Sequence, residues 1–404
     1  MRANPTTLLL LLFGAGACDL EPVAADAPPP VLAVPTAADE QDITPPESAH
    51  AQAREEAEAR GAKDGYPMPR PERRRLGAAV ALNATCESCH KEEATEWRRS
   101  RHRQSDTNSA YQAAFAIEPT PFCRGCHAPE ADPTNTNTNT NTQIPPRAVS
   151  ELGVGCVTCH VTEEGFVLAS TTSQGDAPHP LRRSADFART GGCAGCHEFR
   201  FPGAIGDADD HFMQTTVREH QRSPSAERAC AECHMPLVEG RRSHAFAEVR
   251  DPVWLRKNLE ATASRPDKNR VRITLVQPDP GHAYPSGDLF RRLEVGCEIR
   301  DAAGKIIQRE VRHLARHFEI SAGQKGRRLT RDDRVFAEPN SVEMGLSPAP
   351  PGQRPAVIAW WVSLQRVATV GMGTNPADAR IESSVPLHAG VLPWDPNDRS
   401  ERTP

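Results

Sequence analysis

Aromatic side chains are scarce in this sequence, and hydrophobic residues in general are few. Phe, Trp and Tyr together make up 5% of the 404 residues, and the wider hydrophobic set makes up 38%. Proline is frequent instead, with 37 residues. A chain of this length can form two domains, but this composition leaves little apolar side-chain area for conventional cores throughout.

Cysteines that could pair in structural disulfides are also missing. Ten of the twelve cysteines lie in one repeated pattern, and only Cys18 and Cys297 remain. A structural disulfide would therefore require these two to meet. The pattern is Cys-x-x-Cys-His, and its five copies are Cys86-Glu-Ser-Cys89-His90, Cys123-Arg-Gly-Cys126-His127, Cys156-Val-Thr-Cys159-His160, Cys193-Ala-Gly-Cys196-His197 and Cys230-Ala-Glu-Cys233-His234.

This pattern is the attachment signature of c-type haem. Two thiols reach the two vinyl groups of one porphyrin, and the adjoining histidine binds the iron as the proximal ligand. The alternatives are zinc sites or disulfides, but a zinc site would need a fourth ligand at a regular offset from each motif, and none recurs. The sequence therefore predicts a pentahaem cytochrome with five covalent, iron-containing haems, and its proximal ligands are His90, His127, His160, His197 and His234.

The segment that carries the motifs is short for five haems. Each haem has roughly thirty residues around it, so the porphyrins must supply much of the buried apolar area, and the segment should not fold without them. The formal net charge is −5, and haem propionates make the holoprotein more acidic still. This balance favours a redox partner with a basic docking patch and does not favour nucleic acid.

The N-terminal residues 1–17 have the features of a secretory signal, including an apolar run from Leu8 to Phe13 that is too short to span a bilayer. The following Ala15-Gly16-Ala17-Cys18 is similar to a bacterial lipobox, in which the cysteine is lipidated; ordinary cleavage near Ala17 is the alternative. Residues 18–78, rich in Ala, Pro and acidic residues, predict a disordered tether. We expect an exported lipoprotein, periplasmic or at the cell surface, anchored to a membrane.

Two folded regions are predicted beyond this tether. Residues 79–265 form a pentahaem cytochrome c domain of α-helix and coil in which the haems make the core. From residue 268 to 396, apolar and polar residues alternate with period two, as in Val271, Ile273 and Leu275, which predicts a C-terminal antiparallel β-sandwich. Cys297 falls on the apolar face of such a strand, where a small buried hydrophobe is expected.

The function of each haem depends on the second axial ligand of its iron. An iron with two protein ligands can only transfer electrons, whereas an iron with a free position can bind a substrate. Six histidines in or just beyond the haem segment are available for five positions. The predicted distal ligands are five of these, His102, His179, His211, His244 and His282, and the sixth candidate is His220. His313, His317 and His388 lie in the predicted β-region, where a polar role on a strand is expected.

Several stretches resemble the exported multihaem cytochromes related to the tetrahaem electron acceptor of hydroxylamine oxidoreductase. They are Trp97-Arg-Arg-Ser100-Arg-His102, Met213-Gln214-Thr-Thr216, Cys230-Ala-Glu-Cys-His-Met-Pro236 and Gly281-His282-Ala-Tyr-Pro285-Ser-Gly287. The resemblance covers roughly residues 80 to 300. It implies a distal-ligand role for His102. Where that family leads us to expect Glu-Trp after the Met-Gln stretch, this chain has Glu219-His220, which counts against His220 as a ligand.

Two functions remain open at this point. The first is electron transfer through mostly bis-histidine haems between a quinol-oxidising or dehydrogenase module and a downstream cytochrome or reductase. The alternative is a multihaem nitrite or hydroxylamine-type oxidoreductase with one open haem. All five motifs end in His rather than Lys, and only Tyr66, Tyr111 and Tyr284 could form a cross-linked catalytic haem. These features favour electron transfer without catalysis.

Overall fold

The computed structural model describes residues 75–117, 119–131, 147–171, 177–201, 204, 208–246, 251–320, 327–368 and 379–394. The predicted signal segment 1–17, the lipidation site Cys18 and the predicted tether up to residue 74 lie outside these ranges. Of the helices within them, none is both long and apolar enough to cross a bilayer.

Short helices dominate the region that carries the Cys-x-x-Cys-His motifs. The longest has 11 residues, and several consist of little more than a motif. A single turn places residues i, i+3 and i+4 on one face, which the motif chemistry needs. The α-helices are α1 (Ala79–Cys89), α2 (Lys91–Arg99), α3 (Ser109–Ile117), α4 (Pro121–His127), α5 (Arg147–Glu151), α6 (Cys156–His160), α7 (Gly192–His197), α8 (Thr216–Gln221), α9 (Cys230–His234) and α10 (Pro252–Lys257), with a π-helix at Phe187–Gly191 and a 3-10 turn at Asp209–His211.

Three small two-stranded sheets lie between these helices. One is parallel and two are antiparallel hairpins. The second follows the fourth motif directly and the third follows the fifth motif. The pairs are β1 (Val167–Ala169) with β2 (Leu181–Arg183), β3 (Glu198–Arg200) with β4 (Phe212–Thr215), and β5 (Leu237–Val238) with β6 (Arg241–Arg242).

Longer strands make up the C-terminal region, with three antiparallel sheets in the orders β13-β8-β7, β10-β9-β14-β15 and β11-β12. Alternating exposure along β8 buries Val271, Ile273 and Leu275, as period two predicts. The strands are β7 (Glu260–Asp267), β8 (Arg270–Val276), β9 (Arg291–Asp301), β10 (Ile306–Leu314), β11 (Arg316–Ile320), β12 (Arg327–Asp332), β13 (Asn340–Gly345), β14 (Pro355–Val367) and β15 (Ile381–Pro393).

The strand region begins earlier than predicted. β7 starts at Glu260 and pairs with β8 from Glu260 to Asp267, whereas the predicted haem domain ran to residue 265. Small and polar residues hide this strand in the sequence, because its inward positions include Ala261 and Ala263 rather than large apolar side chains. Residues 260–267 therefore belong to the sheet.

One hydrophobic cluster joins the three-stranded and four-stranded sheets. Ile273 of β8, Val295 of β9, Met344 of β13 and Ile358 of β14 all belong to it and are fully buried. Cys297 is 1% exposed within the same cluster, as expected for a small buried hydrophobe. The antiparallel strands and the shared core are present, but a complete β-sandwich is not established by this arrangement alone and stays a prediction.

A buried ion pair connects the strand region to the haem-motif region. Glu219 of α8 accepts hydrogen bonds from Arg334 at 2.7 Å, from Ser286 at 2.7 Å and from Thr215 at 2.5 Å. Arg334 also bonds Asp332 at 2.7 Å. Because Glu219 and Arg334 are almost fully buried, each depends on its partners, and the network fixes α8 against the residues around the Gly281–Gly287 turn.

Candidate haem-binding site

The five motifs adopt the same local geometry. In each, the second cysteine lies one helical turn after the first, so both thiols project from one face, and the histidine follows at the helix end or as its C-terminal cap. In the mature cytochrome these thiol sulfurs correspond to thioethers. The residues present fit the covalent attachment of one haem at each motif.

Four motif histidines face a second histidine across a gap of constant width. A ring nitrogen bonds a metal at roughly 2.0 Å and lies roughly 1.1 Å from the ring centre, so imidazoles on opposite sides of one iron have centres roughly 6.2 Å apart. The observed ring-centre separations match this value. They are 6.3 Å for His90 and His179, 6.1 Å for His102 and His197, 6.1 Å for His160 and His244, and 6.1 Å for His234 and His282.

Backbone carbonyl groups orient several of these rings. The Nδ1 atom of His160 lies 2.9 Å from the Leu168 carbonyl oxygen, that of His244 lies 3.0 Å from the Arg242 oxygen, and that of His282 lies 2.9 Å from the Ala283 oxygen. An Nδ1–H that donates to a carbonyl leaves the Nε2 lone pair free for a metal. The carbonyls therefore select the tautomer that axial ligation requires.

Burial favours the neutral form of three of the paired imidazoles. Desolvation, followed by the repulsion of neighbouring histidines, lowers the pKa of His102 and of His234 to about 4. Desolvation, with the charges of His102 and Arg291, likewise lowers the pKa of His197 to about 4. Iron binds the neutral imidazole, so the apolar surroundings and the ligand role require the same protonation state.

His127, in the second motif, is the exception among the predicted proximal ligands. Within the described ranges, no histidine ring lies opposite it at the spacing of the other four. Its Nδ1 lies 2.7 Å from the Ser105 carbonyl oxygen, and the ring of Tyr111 stacks on it at 3.8 Å with an interplanar angle of 4°. The Tyr111 hydroxyl is buried and has no hydrogen-bond partner. The second motif thus has an oriented proximal histidine but no histidine partner in the described part of the chain.

His211 is the predicted distal ligand that the structure does not bring opposite a motif histidine. It ends the 3-10 turn Asp209–His211, and its Nε2 lies 3.7 Å from an Asp210 carboxylate oxygen. Its backbone carbonyl accepts a hydrogen bond from the Phe201 amide. The other four predicted distal histidines each pair with a motif histidine, although ligation itself stays a prediction.

Both ring nitrogens of His220 lie close to backbone carbonyl oxygens. Nδ1 lies 2.7 Å from the Gly281 carbonyl oxygen and Nε2 lies 2.9 Å from the Arg228 oxygen. No ring nitrogen is left for an iron. This geometry agrees with the resemblance argument against His220 and gives the residue a structural role beside the fifth motif.

The three histidines of the strand region have polar partners. His317 Nε2 lies 2.9 Å from an Asp333 carboxylate oxygen, and His388 Nε2 lies 2.6 Å from the Leu259 carbonyl oxygen. His313 Nε2 lies 3.6 Å from a Glu294 oxygen. These contacts are those expected of histidines on strands.

Sequence reasoning missed two residues that support the ligands. Gln214 places its side-chain amide 3.3 Å from His197 Nδ1, and Phe246 packs edge-on against His102 at 4.2 Å and against His244 at 6.2 Å. Gln214 lies in the Met-Gln stretch that carried part of the resemblance, so its presence was noted without its role. Phe246 carries no signal in the sequence, because an isolated Phe two residues after a histidine is common.

The attachment helices lie close together. Val157 of α6 shares a hydrophobic cluster with Cys86 of α1, and α6 also contacts α7. The side chains of Cys193 and Cys230 are in contact, and Cys126 Sγ lies 3.9 Å from the Cys196 carbonyl oxygen. The first motif therefore neighbours the third, the third neighbours the fourth, and the fourth neighbours both the fifth and the second.

Comparisons with known proteins agree with this site. The family "Cytochrome c554 and c-prime" matches residues 85–161, which include the first three motifs. No curated protein matches the chain. A penta-heme cytochrome c552 from Thermochromatium tepidum is similar in structure, with a TM-score of 0.55 and 17% identity over 79% of this chain and 99% of that one. MtrC from Shewanella baltica OS185 gives a TM-score of only 0.15 at 10% identity, over 60% of this chain and 42% of that one, and supports no argument.

At 17% identity, the match to the penta-heme cytochrome c552 shows a shared fold. The resemblance to the family of the electron acceptor of hydroxylamine oxidoreductase stays a prediction. The family match covers the first three motifs, and the structural match covers most of the chain. With the paired histidines, these findings support the conclusion that the chain is a multihaem c-type cytochrome that binds haem c and iron.

Proposed function

We propose that the protein is a pentahaem electron-transfer cytochrome in which at least four haems have two histidine ligands. The carrying observation is the set of four histidine pairs with centres 6.1 to 6.3 Å apart. A c-type haem supplies a one-electron iron couple, and two imidazoles saturate its iron so that no substrate binds there. The structurally similar protein is itself named as a penta-heme cytochrome.

The neighbouring motifs define a path for electrons. The contacts described above support the order first, third, fourth and fifth, with the second beside the fourth. Cys89 of the first motif and Cys233 of the fifth are the two motif cysteines that are exposed. We therefore infer that the first and fifth sites are the surface ends of the path and that the third and fourth are internal.

The setting outside the cytoplasm belongs to the same proposal. Haem c attachment and the N-terminal signal features support export, with Cys18 as the lipid anchor that holds the protein at a membrane. Redox partners on the two sides would be a quinol-oxidising or dehydrogenase module and a downstream cytochrome or reductase. The three-stranded and four-stranded C-terminal sheets, which share one core, would form a β-sandwich packed beside the fifth site.

A second function is favoured by one observation, the lack of a histidine opposite His127 in the described ranges. An iron without a second protein ligand could bind a small molecule such as nitrite or hydroxylamine. Tyr111 and Arg124 near this motif have buried polar atoms without hydrogen-bond partners. This arrangement fits the alternative of an oxidoreductase with one open haem.

Low-temperature electron paramagnetic resonance of the oxidised protein tests both functions. Four low-spin irons with two imidazoles each are expected, and His244→Met should change one of them alone. Fewer than four such signals would contradict the electron-transfer proposal. A fifth, high-spin signal that shifts on addition of nitrite, together with turnover, would instead establish the oxidoreductase.

A further inference from the structure

We propose that the β5–β6 hairpin forms, with the exposed edge of the fifth motif, a docking surface for a redox protein that presents apolar residues ringed by lysines or arginines. This hairpin surface consists of Glu232, Cys233, Leu237, Val238 and Glu239. The inference rests on the proposed electron-transfer function and adds the place of contact and the chemistry of the partner.

Both residues of β5 are large, apolar and exposed. Leu237 is 64% exposed and Val238 is 40% exposed, and the preceding Pro236 is exposed as well. Contiguous apolar patches on a folded surface mark places of interaction. The fifth motif thus has an apolar surface within a few residues of its exposed cysteine.

The hairpin is held rigidly although it is short. Arg242 donates from Nη1 to the carbonyl oxygens of Ala231 and Met235, both at 3.2 Å, and the Ser243 amide donates to the Pro236 oxygen at 2.9 Å. Its turn has positive φ at both central residues, 52° at Glu239 and 82° at Gly240, as a two-residue turn of this hand requires. A partner therefore meets a preformed surface, and little conformational entropy is lost on binding.

The hairpin lies at an end of the electron path. The bonds from Arg242 to Ala231 and Met235 fasten it to the helix that carries Cys233, which is exposed. The first motif also has an exposed cysteine, Cys89, but Val80 at 37% exposure is the large exposed hydrophobic residue of its helix. Of the two motifs with an exposed cysteine, the fifth therefore has the more exposed apolar side chains beside it.

The charge around this surface selects a cationic partner. Glu232 and Glu239 are exposed on it. The nearby guanidinium of Arg241 is already surrounded by carboxylates, at 2.9 Å from Glu96, 3.2 Å from Glu92 and 3.9 Å from Glu93. Arg228 is likewise paired with Asp279 at 2.6 Å.

Arg242 bonds backbone carbonyl oxygens and adds a further positive charge. The six carboxylates around the hairpin, those of Glu92, Glu93, Glu96, Glu232, Glu239 and Asp279, still outnumber the guanidinium groups of Arg228, Arg241 and Arg242, so the local potential is negative. Opposite charge on a partner would raise the rate of association and orient the encounter.

Stopped-flow electron exchange between the reduced full-length holoprotein and a lysine-rich monohaem cytochrome c tests the proposal. The charge-reversal variant Glu232→Lys/Glu239→Lys should lower the second-order rate constant about tenfold at low salt and flatten its dependence on ionic strength. Leu237→Ser/Val238→Ser should lower the rate constant several-fold while keeping the salt dependence. Matched controls are Glu260→Lys/Glu338→Lys and Ile117→Ser, which change exposed residues elsewhere.

A probe with acetylated lysines should react with the wild type as slowly as the native probe does with the charge-reversal variant. Hairpin variants that react as fast as the controls would overturn the docking surface while leaving electron transfer intact. A haem spectrum altered by Leu237→Ser would also overturn it, because the side chain would then cover a porphyrin. Failure of the wild type to exchange electrons with any protein probe would instead contradict the proposed function.

Discussion

The haem-motif region and the strand region of this chain differ in how they form a hydrophobic core from few apolar residues. The strand region concentrates large aliphatic side chains in one cluster, in which Ile273, Leu293 and Ile358 are fully buried. The motif region has short helices, and its clusters are small; the one around Trp97 joins five buried residues. In the strand region, every second side chain faces inward, so a few residues form a core. In the motif region, the porphyrins are expected to supply the apolar surface that the side chains lack.

Withholding haem should separate the two regions most strongly. In a host without cytochrome c maturation, we expect the amides of residues 79–246 to lose their protection from hydrogen exchange, because the attachment helices then lack the porphyrins to pack against. Residues 260–394 should keep protected strands, since their core contains no haem. Hydrogen exchange with mass spectrometry measures both; protected motif helices without haem would show that the contrast is wrong.

Removing the buried charge that joins the regions should have the next largest effect. Glu219→Ala leaves Arg334 buried with Asp332 as its remaining acidic partner and should lower the free energy of unfolding by about 3 to 5 kcal/mol. Chemical denaturation of the holoprotein measures the loss. Glu338→Ala, at an exposed position, is the control and should have almost no effect; equal behaviour of the two variants would show that the network is dispensable.

The same carboxylate should make the junction sensitive to acid. Burial raises its pKa, but the charge of Arg334 and three hydrogen bonds outweigh burial, so the pKa of Glu219 is lowered overall. Stabilisation is then complete above the unfolded-state value of about 4.3 and is lost as pH falls through the lower folded-state pKa. Unfolding free energies from pH 6 down to pH 3 should fall in the wild type and fall less in Glu219→Gln.

A cavity in the strand core should be costly but local. Ile273→Ala should lower the free energy of unfolding by about 2 to 5 kcal/mol, because Ile273 is fully buried. Ile306→Ala, at a residue that is 47% exposed, is the matched control. The haem spectrum should be unchanged in both variants. A shifted spectrum in Ile273→Ala would mean that the two cores are mechanically coupled.

The smallest effect on stability, and the most specific one, is expected from a distal ligand. His244→Met should raise the midpoint potential of one haem, because methionine favours ferrous iron more than a second imidazole does. His313→Met should leave all potentials as they are, since His313 contacts Glu294 in the strand region. Spectroelectrochemical titration distinguishes the two, and unchanged potentials in His244→Met would remove it from the ligand set.

The attachment motifs, with their predicted proximal ligands, and the strands were accessible from the sequence because their signals are local. A Cys-x-x-Cys-His motif carries both thiols and the proximal histidine within one helical turn, and alternation along β8 states which side chains face inward. The distal histidines have no such signal. His102 precedes the fourth motif by about ninety residues, and only folding brings its ring to 6.1 Å from His197.

The sequence by itself determined the cofactor class, the predicted number of attachment sites and the alternating strands, since each depends on residues only a few positions apart. Tertiary structure alone decided which histidine faces which motif and that His211 faces none in the described ranges. It also placed both ring nitrogens of His220 close to backbone carbonyl oxygens. It also decided that β7 begins at Glu260. The physical reason is that the pairing of two histidines and the pairing of two strands depend on contacts between segments far apart in the chain. Local sequence patterns do not specify such contacts.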